Sequence, residues 1–310
     1  MAIDEGAAAE RLAYQLRVVE SIAKHVGDGR HDLAAPGSAL EADDRMLGGH
    51  QTSHLVGHCL SVSLDALQTA RLILRDETTG GLRVPLMGQY PVLRTAIEST
   101  ALAIWLLAPD DQSERLRRSL SARMDEIHHD DHLVAVLTEE EPGDSKAERA
   151  HKQKQRRDNS ARSRQQKRRI RDYAAAAAIP VEQINPGLPG FGPIVRESGD
   201  TVGVSGNHTE GIWGYVSGLT HPSVRRSIAA SDIERLAGGE VFAASFTANL
   251  AAVAMAFDAA LSGHLAALRL LARRGGRPEL EWSPEPGFPL PPGCVGRAAH
   301  TGAGLSQDGT

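Results

Sequence analysis

A dense group of titratable side chains occupies residues 123–132 of this 310-residue chain. His128 and His129 follow Arg123 by five and six residues, and Asp125 lies about one helical turn before them. Imidazoles exchange protons near neutral pH, and a guanidinium stabilises charge on a phosphate. The spacing indicates a candidate catalytic site, with His128 or His129 as general acid or base and Arg123 as the stabilising cation. The competing interpretation is a solvated helix face with acid–histidine pairs.

Two further polar pairs sit at helical spacing in otherwise apolar segments. Arg94 and Glu98 are one turn apart, as are Ser217 and His221, so each pair can interact along a helix. Each pair either fixes helix packing or lines a pocket for an anionic group. We predict that these four residues and Asp125 form one binding pocket, provided that folding brings them together.

Three histidines, His50, His54 and His58, repeat at a spacing of four residues. On an α-helix the outer two are about 12 Å apart. Zinc needs every donor atom at about 2.0–2.1 Å, so at most one adjacent pair could bind it. We predict no metal site and no cofactor, and a metal-binding helical bundle remains the third functional hypothesis.

The net charge of −5 conceals a strong asymmetry. Residues 146–171 carry 12 Lys/Arg and only 2 Asp/Glu, so this block has a charge of +10 on a body of charge −15. A basic helix can follow a nucleic-acid backbone by charge neutralisation, although it can also be a solvated helix. The predicted nucleic-acid contacts are Lys152, Lys154, Arg156, Arg157, Arg162, Arg164, Lys167, Arg168 and Arg169.

Periodicity and punctuation predict an all-α fold, an antiparallel helical bundle with a basic helical insertion and a disordered C-terminal tail. Apolar residues recur at helical spacing, and strand signals are absent. The predicted helices cover 12–26, 50–75, 91–107, 110–137, 146–178, 209–219 and 240–274, with Ser145-x-x-Glu148 and Ser231-x-x-Glu234 as capping boxes.

The predicted domain organisation is one helical-bundle domain over 1–275, followed by a disordered tail over 276–310. Within the domain, the basic helix covers 146–178, and repeated Pro and Gly predict loops at 28–49 and 180–208. Two cysteines and an acidic N-terminus predict a cytoplasmic protein without a disulfide framework. Asn249 and Asp258 interrupt the apolar stretch 241–261, which favours a buried helix over a membrane span.

The Arg94-x-x-x-Glu98 helix, the acidic and His-rich segment 125–132, and Trp213 with Ser217-x-x-x-His221 together resemble a group of uncharacterised helical proteins common in actinobacteria. The resemblance covers about residues 50 to 270. That group has no established activity, so the resemblance implies an all-helical fold and no reaction.

The outline is also distantly similar to HEPN-type helical bundles, many of which are dimeric, metal-independent ribonucleases. Their signature is an Arg followed four to six residues later by a His, and the pair acts on the scissile phosphate of RNA. Arg45 with His50, and Arg123 with His128 or His129, match this spacing, whereas no Arg precedes His221 suitably. The resemblance implies RNA or another polyanion as partner and a homodimer as the assembly. The alternative is a non-enzymatic interaction or scaffold protein.

Overall fold

The computed structural model describes residues 5–26, 33–76, 78–79, 81–238 and 242–279, and it is a helical fold with one small sheet. The elements are α1 (Glu5–Val26), α2 (Ala39–Leu47), α3 (Thr52–Leu74), α4 (Gln89–Leu107), α5 (Gln112–Leu137), α6 (Lys146–Ala176), α7 (Phe191–Thr201), α8 (Gly206–Leu219), α9 (Val224–Ala229), β1 (Ser231–Gly238), β2 (Phe242–Ala248) and α10 (Leu250–Arg274). The predicted all-α fold class is confirmed.

The main core forms around α4, which is apolar on nearly all sides. Helices α3, α7, α8 and α10 pack against it, and α1 covers α10. Tyr90, Leu106 and Phe257 are fully buried in this cluster. A helix without a polar face must be surrounded by others, which explains the central position of α4. We call this cluster of helices the body.

A second, smaller core joins α5 to α6. Leu120 and Met124 of α5 meet Ile170 and Ala174 of α6, and Leu47 at the end of α2 closes the cluster. The four residues of α5 and α6 lie in the half of the helix pair nearest the body. The basic helix therefore packs as one arm of an antiparallel hairpin with α5, which we call the α5–α6 hairpin.

Two segments predicted to be loops contain helices. Residues 28–49 include α2 and the start of the 3-10 turn Gly48–His50, and residues 180–208 include α7 and the first residues of α8. Helix α7 forms although Pro193 lies in it, because a proline in the first turn loses no helical hydrogen bond. Ile194 and Val195 then bury its inner face.

Residues 231–238 and 242–248 form two paired β-strands, so the capping box predicted at Ser231 and the helix predicted from 240 onward are both wrong there. Strand β1 pairs with β2 in antiparallel register, with Ile233 opposite Phe246. The sequence Gly238-Gly239, which begins at the last residue of β1, favours a hairpin turn. Helix α10 begins only at Leu250, where the Asn249 side chain accepts a hydrogen bond from the backbone N–H of Ala252 at 2.9 Å.

The C-terminal tail prediction falls largely outside the described residues, which end at 279. The single-domain assignment over 1–275 stays a prediction. Within the described residues, α10 is the one helix long and apolar enough to cross a membrane. It packs on α4, α1, α3 and α8, and such packing is also typical of a central helix in a helical bundle.

Candidate nucleic-acid interface

Helix α6 begins at a capping box and presents two chemically distinct faces along its 31 residues. Ser145 Oγ accepts from the N–H of Glu148 at 3.2 Å, and Glu148 Oε2 accepts from the N–H of Ser145 at 2.7 Å. This confirms the predicted start of the helix. One face of α6 contacts the α5 side of the hairpin and the other is exposed to solvent, so the basic residues of α6 divide into two groups.

Three predicted nucleic-acid contacts, Lys152, Arg156 and Lys167, point instead toward the α5 side of the hairpin. Lys167 donates to Asp131 Oδ2 at 2.8 Å, and Arg156 Nε donates to Thr138 Oγ1 at 2.8 Å. Lys152 donates to the Glu139 carbonyl oxygen at 2.8 Å and forms an ion pair with Asp144 at 2.8 Å. These three cations hold the hairpin together, which corrects their predicted role as free contacts.

Asp131 is the acceptor at the centre of this polar seam. Asn159, Ser163 and Lys167 of α6 all donate to its carboxylate, at 2.7 to 2.9 Å. Burial by itself raises the pKa of Asp131, but the hydrogen bonds from Lys167 and Ser163 outweigh it and hold the pKa below its ordinary value. The carboxylate is therefore a charged link between the two helices.

The remaining six predicted contacts point away from α5 and are exposed to solvent. Successive residues of an α-helix turn by about 100°, which places all six within an arc of about 160° opposite the polar seam. Among the described residues, no carboxylate lies within ion-pair distance of any of them, although Asp158 and Asp172 share the surface and leave a net charge of +4. We call this surface the outer face; its cations are Lys154, Arg157, Arg162, Arg164, Arg168 and Arg169.

The structure separates the residues predicted to be catalytic. Residues five and six apart on a helix are rotated by about 140° and 120° relative to each other, so Arg123 shares no face with His128 or His129. Arg123 forms an ion pair with Glu126 at 3.0 Å. His129 is 80% exposed and lies 3.2 Å from Asp125 Oδ2. The predicted joint action of Arg123 with either histidine therefore has no support in the geometry.

Asp125 has a local structural role in addition to its contact with His129. Its Oδ1 accepts from the backbone N–H of Leu188 at 3.2 Å. Gly187 has a positive φ of 82°, and a Cβ there would lie 2.5 Å from the same Oδ1. Asp125 thus fastens the segment before α7 to α5, as a packing residue would.

Arg94 and Glu98 form the predicted ion pair at 2.7 Å, on the side of α4 that faces α8. Glu98 Oε1 also accepts from Trp213 Nε1 at 2.9 Å, and Arg94 Nη1 donates to Thr220 Oγ1 at 3.4 Å. Both residues of the pair thereby join α4 to α8, one through the middle of α8 and one through its C-terminal end. This favours the packing interpretation over the anion pocket.

The predicted pocket does not assemble within the part of the chain that the structure describes. His221 is exposed, and no hydrogen bond, ion pair or ring contact joins His221, Ser217 or Arg94 to residues 125–132. Arg94 bonds within α4 and to the end of α8, whereas Asp125 bonds within α5 and to the segment before α7.

Arg123 instead acts electrostatically on a histidine that is distant along the chain, His50. The His50 ring meets Tyr173 of α6 edge-on, with ring centroids 5.8 Å apart. Burial lowers the pKa of His50, and the positive charges of Arg123 and Arg169 lower it further, against an opposing effect of Glu126. Sequence reasoning missed this cluster because its members belong to three separate elements and no spacing connects them.

The other two histidines of the stripe, His54 and His58, are exposed on α3. Across the described residues, no three His, Cys, Asp or Glu side chains are grouped as they would be around a metal ion. Metal analysis of the purified protein distinguishes the two hypotheses for this region, that it binds no metal and that one pair of histidines binds a metal ion.

An open groove of about 750 Å³ runs beside the polar seam, between the distal halves of α5 and α6. Val134 and Val136 line its α5 side, and Arg164 of the outer face lies on its α6 side. Near it, Leu133 and Leu137 are 54% and 67% exposed. The distal hairpin therefore presents apolar surface on α5 and cationic surface on α6.

Comparison of the chain with family models, with curated proteins and with solved structures found no match.

Proposed function

We propose that this protein binds RNA through the outer face of α6. The observation that carries the proposal is the set of six exposed cations, none of which forms an ion pair within the described residues, on a surface of net charge +4. A surface of this kind attracts a polyanion, because each Lys or Arg that contacts a phosphate releases a condensed counterion. Because the whole chain has a net charge of −5, attraction of a polyanion depends on the grouping of these cations on one surface and not on the total charge.

The shape of the hairpin suits this role. A helix of 31 residues is about 46 Å long at 1.5 Å per residue. The seam on one side of α6 fixes the helix to α5, so the outer face is presented on a supported helix. A pre-ordered binding surface loses less conformational entropy when it binds.

The proposal is one of binding and requires no cofactor. It assigns no catalytic step to Arg123, His128 or His129, since their side chains lie on different sides of α5. RNA cleavage that depended on these residues would be an additional activity.

A charge-matched pair of variants tests the proposal. Arg157→Gln/Arg164→Gln/Arg168→Gln removes three cations from the outer face, and glutamine preserves helix propensity. The control, Arg83→Gln/Arg225→Gln/Arg269→Gln, removes three exposed cations elsewhere.

The binding of a fluorescent 12-nucleotide RNA is measured by anisotropy at low salt. We expect the outer-face variant to bind on the order of tenfold or more weakly, and the control to stay within about twofold of the wild type. Equal weakening in both variants would mean that net charge alone, and not this face, determines binding.

A protein partner is the second candidate, favoured by the exposed Leu133, Val136 and Leu137 of α5. Apolar side chains grouped on one helix face are typical of helix–helix interfaces, and a second copy of the chain is the simplest partner. Light scattering of the wild type and of Leu133→Gln/Leu137→Gln tests this. A dimer that the substitutions dissociate would support the homodimer, and a wild-type monomer at high concentration would exclude it.

A further inference from the structure

Three elements bring one imidazole and two guanidinium groups to a junction at the base of the α5–α6 hairpin. The Thr52 and Ser119 hydroxyls are hydrogen-bonded at 2.8 Å, which fixes the start of α3 against α5. His50 lies two residues before Thr52, and Arg123 lies one turn after Ser119. His50 and Arg123 are therefore both held close along the chain to the same contact.

The second guanidinium comes from α6, next to an aromatic contact. Tyr173 packs edge-on against His50, and Arg169 lies one turn before Tyr173 on α6. Gly48 permits the approach, because a Cβ at this position would lie 2.8 Å from Tyr173 Oη and the backbone φ is +50°. The junction is thus a packed structure, and Arg169 connects it to the outer face.

The junction carries more positive charge than its one carboxylate neutralises. Arg123 and Arg169 both act electrostatically on His50, and among the described residues Glu126 is the acidic group that opposes them there. Glu126 is bound through Nη1 of Arg123. Partly buried like charges repel one another, so an anion bound between them would be stabilising.

Several donors at the junction have no acceptor among the described residues. Arg123 Nε is inaccessible to solvent and without a hydrogen-bond partner, and Arg169 is exposed without an ion pair. The His50 ring has its edge-on contact with Tyr173 and no hydrogen bond within the described chain. A buried donor without an acceptor is unfavourable, and an oxyanion with several oxygens could accept from these groups together.

We propose that His50, Arg123 and Arg169 form a binding site for a phosphate group. The phosphate is either one of the backbone phosphates of the nucleic acid on the outer face or a free phosphate. If the ligand is a backbone phosphate, this proposal rests on the proposed function; if it is a free phosphate, it does not. It would fix the position of the polyanion on the protein, because the outer face alone allows the polyanion to slide along α6.

The test follows the His50 imidazole by NMR during pH titration of the full chain. The first probe is inorganic phosphate, with chloride at equal ionic strength as control, and the second is a 12-nucleotide RNA without terminal phosphates. A bound anion favours the protonated imidazole, so we expect saturable binding that raises the pKa of His50.

Two sets of variants locate the effect. Arg169→Gln, at an exposed position, should weaken phosphate binding roughly tenfold, as expected for one charge-assisted hydrogen bond, and Arg123→Gln should do the same. Arg157→Gln/Arg164→Gln/Arg168→Gln should leave inorganic phosphate binding within about twofold of the wild type. The Arg169 variant keeps the test valid if the partly buried Arg123 variant is unstable.

The outcomes separate this site from the proposed function. A His50 response to both probes that is lost in Arg169→Gln supports a site for a backbone phosphate. A response to inorganic phosphate alone supports the site and assigns it to a free phosphate. If neither probe acts on His50, the site is refuted, whereas RNA binding measured by anisotropy would still support the outer face.

Discussion

The body and the α5–α6 hairpin hold their helices together with different side chains. In the body, fully buried apolar residues such as Leu106 and Phe257 separate the helices from water. In the distal hairpin, Asp131, Arg156 and Lys167 link the helices through polar contacts. Apolar burial requires surrounding elements, whereas a polar seam can hold two helices that project alone. The difference explains how α6 can present a long cationic face without being covered.

A buried ion pair that neither the composition nor the spacing indicated joins the base of the hairpin to α2. Arg115 of α5 binds both carboxylate oxygens of Asp43 in α2, at 2.7 and 2.9 Å, and both side chains are almost fully buried. Arg115 Nη1 also donates to the carbonyl oxygens of Pro109 and Asp110, at 3.0 and 2.7 Å. The base of the hairpin is therefore fixed by one guanidinium.

The largest expected effect is the loss of this pair. Arg115→Met leaves the Asp43 carboxylate buried and unpaired, so the free energy of unfolding should fall by about 3–5 kcal/mol. In Arg115→Met/Asp43→Leu the orphaned charge is gone, and much of the stability should return. Urea denaturation measures both variants; a single variant as stable as the wild type would show that the hairpin base is held by other contacts.

A smaller effect concerns the body, whose free energy of unfolding should depend on pH through one buried histidine. His264 is buried in α10 with Nδ1 3.1 Å from Ser63 Oγ, and burial lowers its pKa from 6.5 to about 4. Between these pH values the unfolded chain binds a proton that the folded chain does not, so stability falls as the pH decreases from 6.5 to 4. The loss should reach roughly 3 kcal/mol, since one pKa unit corresponds to about 1.4 kcal/mol.

His264→Gln supplies the control for this window. Glutamine does not titrate, so the variant should lack the His264 contribution to the loss between pH 6.5 and 4. Identical pH profiles of the unfolding free energy for the variant and the wild type would contradict the assignment to His264.

The smallest effect concerns the seam of the hairpin. Asp131 has a pKa below its ordinary value of 3.8, so its stabilising contribution is present above that value and is lost as the pH falls through the folded pKa. Asp131→Asn should cost about 1 kcal/mol, because the carboxylate is 31% exposed. Hydrogen exchange should accelerate in α6 around residues 159–167 and not in α4. Uniform acceleration throughout the body would show that the seam does not act locally.

The sequence was informative where one helix face alone determines the structure. Apolar periodicity located α3, α4 and α5, and the capping box located the start of α6. It failed at α2, where Asp43 and Asp44 are buried and the polar pattern resembles a loop. It failed again at β1 and β2, since Ser231 and Glu234 imitate a helix start while Gly238-Gly239 favours a turn.

The candidate site was predictable only in part, for the same physical reason. The cationic character of α6 is a local property, and so it is visible in composition. Which cations point inward depends on Asp131 and Thr138 of another helix. The inward-facing residues of α6 recur at helical spacing, and this spacing could have indicated the inner face. They are Lys152, Arg156, Ser163, Lys167 and Ile170. The approach of Arg123 to His50 has no such signal, because it depends on tertiary packing.

The salt dependence of RNA binding to the wild-type protein tests the central claim most directly. If the outer face contacts up to six phosphates of a single strand, the plot of log K against log salt should have a slope of about −2 to −4. The slope should become less negative by about 2 in Arg157→Gln/Arg164→Gln/Arg168→Gln. A wild-type slope between zero and about −1 would contradict polyanion binding through α6.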